Sequence, residues 1–443
     1  MEDLKNKRVV VAGLGKFGGQ IAAAKWLVAQ GARVLVTDRS PAEKLQSSVN
    51  ELAGLPIEFR LGEHRVEDFT SADLIVASPA IPPHNPYLAA AKTAGVQITT
   101  EVRLFIERCP TKKIVGITGT KGKSTTTALL GRMLATKFTT HVGGNIGKPL
   151  LLDLERISAD DVVVLELSSF MLEYVRDLQW SPHVAVVTML SADHLDWHGS
   201  ADAYLDAKRL IVRYQKRSDV AVLAENSPHT AAMMTMTPAR IILYPTHNLH
   251  FELTVPGAHN QFNCQAAWAA AEALGVRFDQ AQAAVRDFPG LPHRMQLVHE
   301  SNGVRWFNDS IATIPDAAIA ALESFPPRTV IQIVGGSDKG IPFDALAAAL
   351  SARAKVVLCI GETGDAIGKL VAKSASGPLP HVYGGGKGNL RHACNQARSL
   401  AMPGDIVLLS TGCASYDQFD NFEQRGDLFA KYARQEPLPI SSL

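Results

Sequence analysis

One stretch constrains this chain more than any other: Lys113-Ile-Val-Gly-Ile117, then Thr118-Gly-Thr-Lys-Gly-Lys-Ser-Thr125, then the Ala-, Leu- and Met-rich run Thr126 to Thr136. An apolar run, a glycine-punctuated turn and a helix-forming segment in that order predict a buried strand feeding a helix through a phosphate-binding loop. Several backbone N–H groups of Gly119-Thr120-Lys121-Gly122 would point at one spot, and the positive end of the helix dipole would add to their field. Lys123 would reach the terminal phosphates of a nucleoside triphosphate, and the Ser124 hydroxyl, followed by Thr125, would face a magnesium ion. The commonest spacing of such loops wants glycine at position 117, where this chain has Ile117, so the match is to a variant form. The competing reading is a glycine turn with a surface lysine.

At 443 residues the chain exceeds what one hydrophobic core supports, which predicts two or three domains. A net charge of +1 gives no general pull toward nucleic acid or an anionic membrane. No apolar run approaches bilayer-spanning length, and the first residues enter a strand pattern without a signal-peptide core. Five cysteines (109, 264, 359, 394 and 413) are scattered and never in C-x-x-C spacing. They read as reduced thiols in a cytoplasmic protein.

Residues 1–108 alternate strand candidates (Arg8–Ala12, Arg33–Thr37, Ile57–Arg60, Asp73–Ala77) with helices (Gly18–Gln30, Pro41–Ala53, Pro86–Ala94), the pattern of a parallel sheet. The first turn, Gly13-Leu14-Gly15-Lys-Phe-Gly18, is a G-x-G-x-x-G with Asp38 at the end of the second strand. It suits a nicotinamide cofactor, another nucleotide, or tight helix–strand packing alone.

Residues 109–294 hold the phosphate loop, a second glycine turn at Gly143–Gly147, and the apolar strand Asp161–Glu166. A carboxylate ending a strand beside a phosphate loop is a usual holder of Mg²⁺; the alternative for Glu166 is a cap or surface residue. His194 reads as a metal ligand, a phosphate partner or a structural histidine. Lys208 lies in a helical segment, Ala201–Arg217, with Arg209, Arg213, Lys216 and Arg217, and by itself reads as one more solvated charge. Asn260 and Asn263, with His259, read as helix caps or nucleotide contacts. The Pro- and Gly-broken run Phe288–Met295 reads as an interdomain hinge. From 295 to 443 strands and helices alternate again, and three polar loops, Asn308–Ser310, Gly335–Gly340 and Ser410–Ser415, follow predicted strands. In open α/β sheets ligands bind there, so three loops facing one crevice predict an active-site wall.

Taken in order, Thr118–Thr125, Gly143–Gly147, Glu166-Leu-Ser-Ser-Phe170, Asp193-His-Leu-Asp196, Gly257-Ala-His-Asn260, Pro292-His-Arg294, Asn308-Asp-Ser310 and Asp417–Gly426 resemble the Mur ligases of peptidoglycan synthesis, in particular their glutamate-adding branch. The resemblance is collinear over nearly the whole chain, and the family's shorter T-G-T-x-G-K-S-T loop accounts for Ile117. It implies three α/β domains, Rossmann-like at both ends with a P-loop ATPase-type centre. The implied enzyme is ADP-forming: a monomer that adds glutamate, D- ahead of L-, to UDP-N-acetylmuramoyl-L-alanine through an acyl phosphate.

Carried over residue by residue, the resemblance places UDP at Gly13, Leu14, Gly15, Asp38, Arg39 and Ser78, and the muramoyl substrate at Asn145. ATP would meet the phosphate loop, Asn260, Asn263, Arg294 and Asp309. Glu166 and His194 resemble magnesium ligands and Lys208 the lysine these enzymes carbamylate, which reverses its reading as a solvated charge. Thr313, Lys339, Ser415 and Phe422 resemble the glutamate-binding set, with Lys339 pairing a carboxylate. Two stretches depart: Ala80 stands where the family has glycine, and Asp309-Ser-Ile-Ala-Thr-Ile314 replaces Asp-Ser-Lys-Ala-Thr-Asn, so Ile311 removes a cation. The weighed rivals are folylpolyglutamate synthetase, a non-catalytic nucleotide switch, and a dehydrogenase built on Gly13–Gly18.

Overall fold

The computed structural model describes residues 3–15, 18–225, 227–246, 248–374, 381–383 and 388–435; Lys16 and Phe17, the middle of the first glycine motif, lie outside that set. Three sheets organise these residues. The first runs Ile57–Leu61, Arg33–Asp38, Arg8–Ala12, Leu74–Ala77, Gln97–Thr99, every pair parallel. Its order reverses at Arg8–Ala12, so the loops leaving Ala12 and Ala77 diverge at a switch point, where open α/β sheets bind ligands. Gln20 spans that point, donating to the carbonyls of Ala12 and Val76 at 2.8 and 3.1 Å.

The second sheet, also parallel, runs Arg240–Tyr244, Val220–Ala224, Val184–Val187, Ile114–Thr118, Val162–Glu166, Thr140–Gly144. Its four middle strands are buried along their whole length, as Val-, Ile- and Leu-rich strands covered on both faces must be. The strand carrying the phosphate loop sits between those ending at Glu166 and Val187, so three loops emerge side by side.

The third sheet runs Gln296–Ser301, Val304–Asn308, Ile406–Leu409, Val330–Val334, Val356–Cys359, His381–Tyr383. All pairs are parallel except the first, an antiparallel edge hairpin. The order again reverses among the strands ending at Asn308, Leu409 and Val334. The three polar loops of the sequence reading leave those ends.

The described chain forms two compact units. One holds the first two sheets (Met1–Phe251 and Phe262–Ala284), the other the third (Glu252–Gln261 and Val285–Leu443). The first two sheets form one unit because a single apolar cluster crosses both: Val9, Leu27, Val36 and Val76 join Leu104, Phe105, Leu151, Val163 and Leu210. At that seam the Glu101 side chain, which opens the helix Glu101–Arg108, accepts from Leu151 N–H at 3.3 Å. Burial pushes its carboxyl up to about 7, partly offset by that bond.

Candidate active site

The strand Ile114–Thr118 delivers the phosphate loop, and the helix Lys123–Leu134 leaves it. Gly122 caps this helix at φ 89°, a left-handed conformation natural to glycine, and an added Cβ would lie 2.3 Å from Asn263 Oδ1. Asn263 is thereby placed against the loop. No acidic residue occupies the first helical turn, so the helix dipole remains available to an anion. Thr118 anchors the loop through its hydroxyl, donating to Leu167 O at 2.7 Å. Thr120 N–H donates to Met189 O at 2.7 Å, and its hydroxyl bonds Tyr204 Oη at 2.8 Å and Ser191 O at 2.9 Å. The Lys123 ammonium folds onto Thr120 O at 3.0 Å.

Beneath this loop lies Lys208. It is 2% exposed, donates to Gly119 O at 2.7 Å, and stands 4.8 Å from the centre of the Tyr204 ring. The helix Ala201–Arg213 turns Tyr204, Leu205, Ala207, Lys208, Ile211 and Val212 inward, so Lys208 occupies a core position. Burial, with the Lys123 charge adding to it, holds its amine well below the usual lysine range. The reading of Lys208 from charge alone as a solvated residue is corrected on this point. Tyr204, one turn earlier on the same face, received no role from the sequence; only its helical spacing from Lys208 signalled it.

Glu166 ends its strand as expected and is 1% exposed, which excludes a surface cap. Its Oε1 accepts from the Asn145 side-chain amide at 3.0 Å, whereas Oε2 is buried without a hydrogen-bond partner. Buried carboxylate oxygens are normally satisfied, so this one fits a cation or a ligand donor. His194 is half-exposed, adopts φ 50°, and packs against Phe170 with ring centres 4.8 Å apart. Among the described residues no three His, Cys, Asp or Glu side chains converge as a ready-made metal cage.

In the first sheet, Asp38 braces the glycine turn: it accepts from Gly15 N–H at 3.1 Å and Ser40 N–H at 2.7 Å. Leu14 is buried, Arg39 exposed, and Ser78 N–H bonds Ala12 O at 2.8 Å across the switch point.

The second compact unit carries Asn260, Arg294, Asp309, Thr313, Lys339, Ser415 and Phe422. Asn260 is buried and donates to Pro256 O at 2.7 Å. Asp309 accepts from Ser410 Oγ at 2.8 Å and Met295 N–H at 3.1 Å, and burial pushes its carboxyl up to about 7 against those bonds and the Arg294 charge. Lys339 donates to Thr313 Oγ1 at 3.2 Å, and Ser337 N–H to Ala414 O at 2.9 Å, so the three polar loops meet. Arg425, quoted in the sequence motif without a role, is fully buried behind them.

Glu101 and Asp309 set an expected pH dependence. Both hold protons in the folded state that their unfolded counterparts release between about pH 4 and 7. Over that window the folded state binds more protons, so stability falls as pH rises. Melting temperature at fixed ionic strength should decline from pH 5 to 8, and Glu101→Gln with Asp309→Asn should flatten the decline.

Three family models match along the chain: a Mur ligase MurD-like N-terminal domain at residues 7–100, a Mur ligase middle domain at 117–248, and a Mur ligase glutamate ligase domain at 293–413. The chain is 41% identical to the UDP-N-acetylmuramoylalanine--D-glutamate ligase of Roseiflexus sp. (strain RS-1), covering 97% of this chain and 98% of that protein. It is 38% identical to the protein of the same name from Symbiobacterium thermophilum, over 96% and 97%. The fold is similar to the UDP-N-acetylmuramate-alanine ligase MurC of Thermotoga maritima, with TM-score 0.59, 20% identity and coverage of 96% and 99%. It is likewise similar to the MurF ligase of Thermotoga maritima solved in complex with ADP, with TM-score 0.56, 16% identity and coverage of 97% and 96%. With near-complete coverage at this level of identity, the chain belongs to the Mur ligase family.

Proposed function

We propose that the chain joins D-glutamate to UDP-N-acetylmuramoyl-L-alanine with conversion of ATP to ADP and phosphate. We further propose domains at 1–108, 109–294 and 295–443, which bind UDP, ATP and the amino acid in turn. The observation that carries the reading is the pairing of a phosphate loop with a buried, half-satisfied Glu166 and a buried Lys208 whose pKa that burial depresses. Binding a nucleotide without chemistry needs neither. The names of the relatives support D- over L-glutamate, and the matched glutamate ligase domain supports an acidic amino acid over a folate-type substrate.

A carboxylate does not react with an amine at useful rates because oxide is a poor leaving group. Here the alanyl carboxylate would attack the γ-phosphorus, releasing ADP and leaving an acyl phosphate; the glutamate amine would then displace phosphate and lose a proton. The first step crowds negative charge, and Lys123, with the backbone donors of the loop and its helix, neutralises it. Ser124, Glu166, His194 and a carbamylated Lys208 would hold Mg²⁺, which would draw charge from the transferring phosphoryl oxygens. A depressed lysine pKa supplies the neutral amine that reaction with CO₂ requires. Gly13, Leu14, Gly15, Asp38, Arg39 and Ser78 would hold the UDP portion and Asn145 the muramoyl portion, while Asn260, Asn263, Arg294 and Asp309 would complete the ATP set. Thr313, Lys339, Ser415 and Phe422 would receive glutamate, and with Ile311 in place of a lysine, Lys339 is left as the cation of that set.

Phosphate release should require ATP, Mg²⁺, UDP-N-acetylmuramoyl-L-alanine and glutamate together, with D-glutamate faster than L-glutamate. Turnover with neither enantiomer refutes the assignment.

A further inference from the structure

Two aromatic side chains from short helical segments that follow strands of the second sheet donate to consecutive carbonyls of one turn in the first. Tyr174 Oη–H bonds Ile81 O at 2.6 Å, and Trp197 Nε1–H bonds Ala80 O at 3.2 Å. The turn they hold, Ser78–Ile81, closes on itself through Ile81 N–H to Ser78 O at 2.9 Å. It also lies directly on the first glycine turn: a side chain at Gly13 would meet both Ser78 and Ile81 at 3.1 Å. Toward the phosphate loop, Trp197 follows His194 by one helical turn, and both pack on Phe170, with ring centres 4.6 and 4.8 Å away. Phe170 lies in the short helix Ser169–Glu173, three residues beyond the end of the strand that carries Glu166. One continuous set of contacts thus runs from the glycine turn at Gly13 through Ala80, Trp197 and Phe170 to His194.

We propose that Trp197 and Tyr174 are positioning residues that pin the Ser78–Ile81 turn, and with it the nucleotide end of the sugar substrate, to the site of phosphoryl transfer. The inference rests on the ligase reading above. In that reaction the attacking carboxylate sits at the far end of a long nucleotide-sugar, so a small rotation at the nucleotide end becomes a larger displacement at the carboxylate. Displacements near 1 Å can cost roughly 10²-fold in rate. Tyr174, 7% exposed, is the fixed member of the pair. Trp197 is partly open to solvent and couples the turn to His194 through the shared Phe170 face. Two carbonyls held from outside the sheet leave the turn little freedom to swing when the nucleotide binds.

The test is steady-state kinetics of Trp197→Phe, which keeps a ring on Phe170 and deletes the donor, beside Tyr174→Phe. Each should lower kcat/KM for UDP-N-acetylmuramoyl-L-alanine about tenfold, the scale of one directed hydrogen bond, with KM for ATP and for glutamate unchanged. Trp197→Ala, which also strips a neighbour from Phe170 and His194, should in addition raise the Mg²⁺ concentration giving half-maximal rate. Wild-type kcat/KM for the nucleotide-sugar in both phenylalanine variants overturns the proposal. So does a loss that tracks melting temperature and falls equally on all three substrates. A wild-type protein that turns over nothing overturns the ligase reading itself, a result distinct from either.

Discussion

Lys208→Met is expected to abolish turnover while leaving the fold intact. The side chain is held in the core with its amine against Gly119 O and its pKa depressed by burial and by Lys123, so the folded state bears a desolvation cost for it. Methionine fills a similar volume without that cost, and the variant should melt no lower than the wild type. On the proposed ligand set, loss of the Lys208 carbamate would leave Ser124, Glu166 and His194 to hold the metal, and kcat should drop by about 10³-fold, the scale of removing a group that stabilises transition-state charge. Lys208→Ala, which leaves a space in place of the side chain, should be inactive and partly restored by short carboxylates such as formate or acetate. Full activity in Lys208→Ala without rescue refutes the carbamate. Rescue and melting curves together separate a missing ligand from a damaged core.

The second large effect is expected on stability. Arg425 is 0% exposed and directs its guanidinium to Ser310 Oγ at 2.9 Å, Ser310 O at 2.7 Å, Cys413 O at 3.1 Å and Ala414 O at 3.3 Å. Burial lowers its pKa to about 10, so it stays charged at neutral pH. One planar group therefore binds two of the three polar loops, and Ser310 returns a bond to Phe422 O at 2.8 Å. Arg425→Met leaves Ser310 O without a donor and takes one donor each from Cys413 O and Ala414 O, which keep Thr411 Oγ1–H and Ser337 N–H; the four lost bonds cost ~1 kcal/mol each. A total near 4 kcal/mol corresponds to a melting shift of ~10 °C for a unit of this size. Arg425→Lys keeps the charge but cannot reach all four acceptors and should recover less than half of the loss. Because Arg425 holds Ser310, whose hydroxyl bonds Phe422 O, and the Ala414 carbonyl next to Ser415, KM for glutamate should rise in both variants on the proposed glutamate set. Unchanged melting in Arg425→Met refutes the role.

Much of this was legible in the letters. The four strands expected in the first sheet fall within one residue of their expected bounds, because each apolar run ends at a glycine- or polar-rich turn. The phosphate loop and Glu166 were legible because glycine spacing and a terminal carboxylate are local signals. Lys208 was not, as long as its charge was weighed ahead of its position: a period of 3.6 places it with Tyr204, Leu205, Ile211 and Val212 on the inner face. The edge strand Gln296–Ser301 escaped notice because its half-buried, mixed sequence lacks an apolar run. Arg425 escaped for a different reason, since two of its hydrogen bonds go to Ser310, 115 residues away in sequence. The merging of the first two sheets into one unit was also hidden, because their shared core is assembled from helix faces distant in sequence.

That shared core has an evolutionary consequence. The third sheet is covered on its two faces by clusters drawn wholly from residues 295 to 433, so its coding segment can be exchanged between relatives with its apolar partners intact. A crossover near residue 108 would instead split Val9, Leu27 and Val76 from Leu151, Val163 and Leu210 and pair mismatched halves. On the proposed assignment of glutamate to the third sheet, selection for a new amino acid would act on a transferable module. A new nucleotide-sugar would instead have to be fitted to a unit whose core it shares with the phosphate loop.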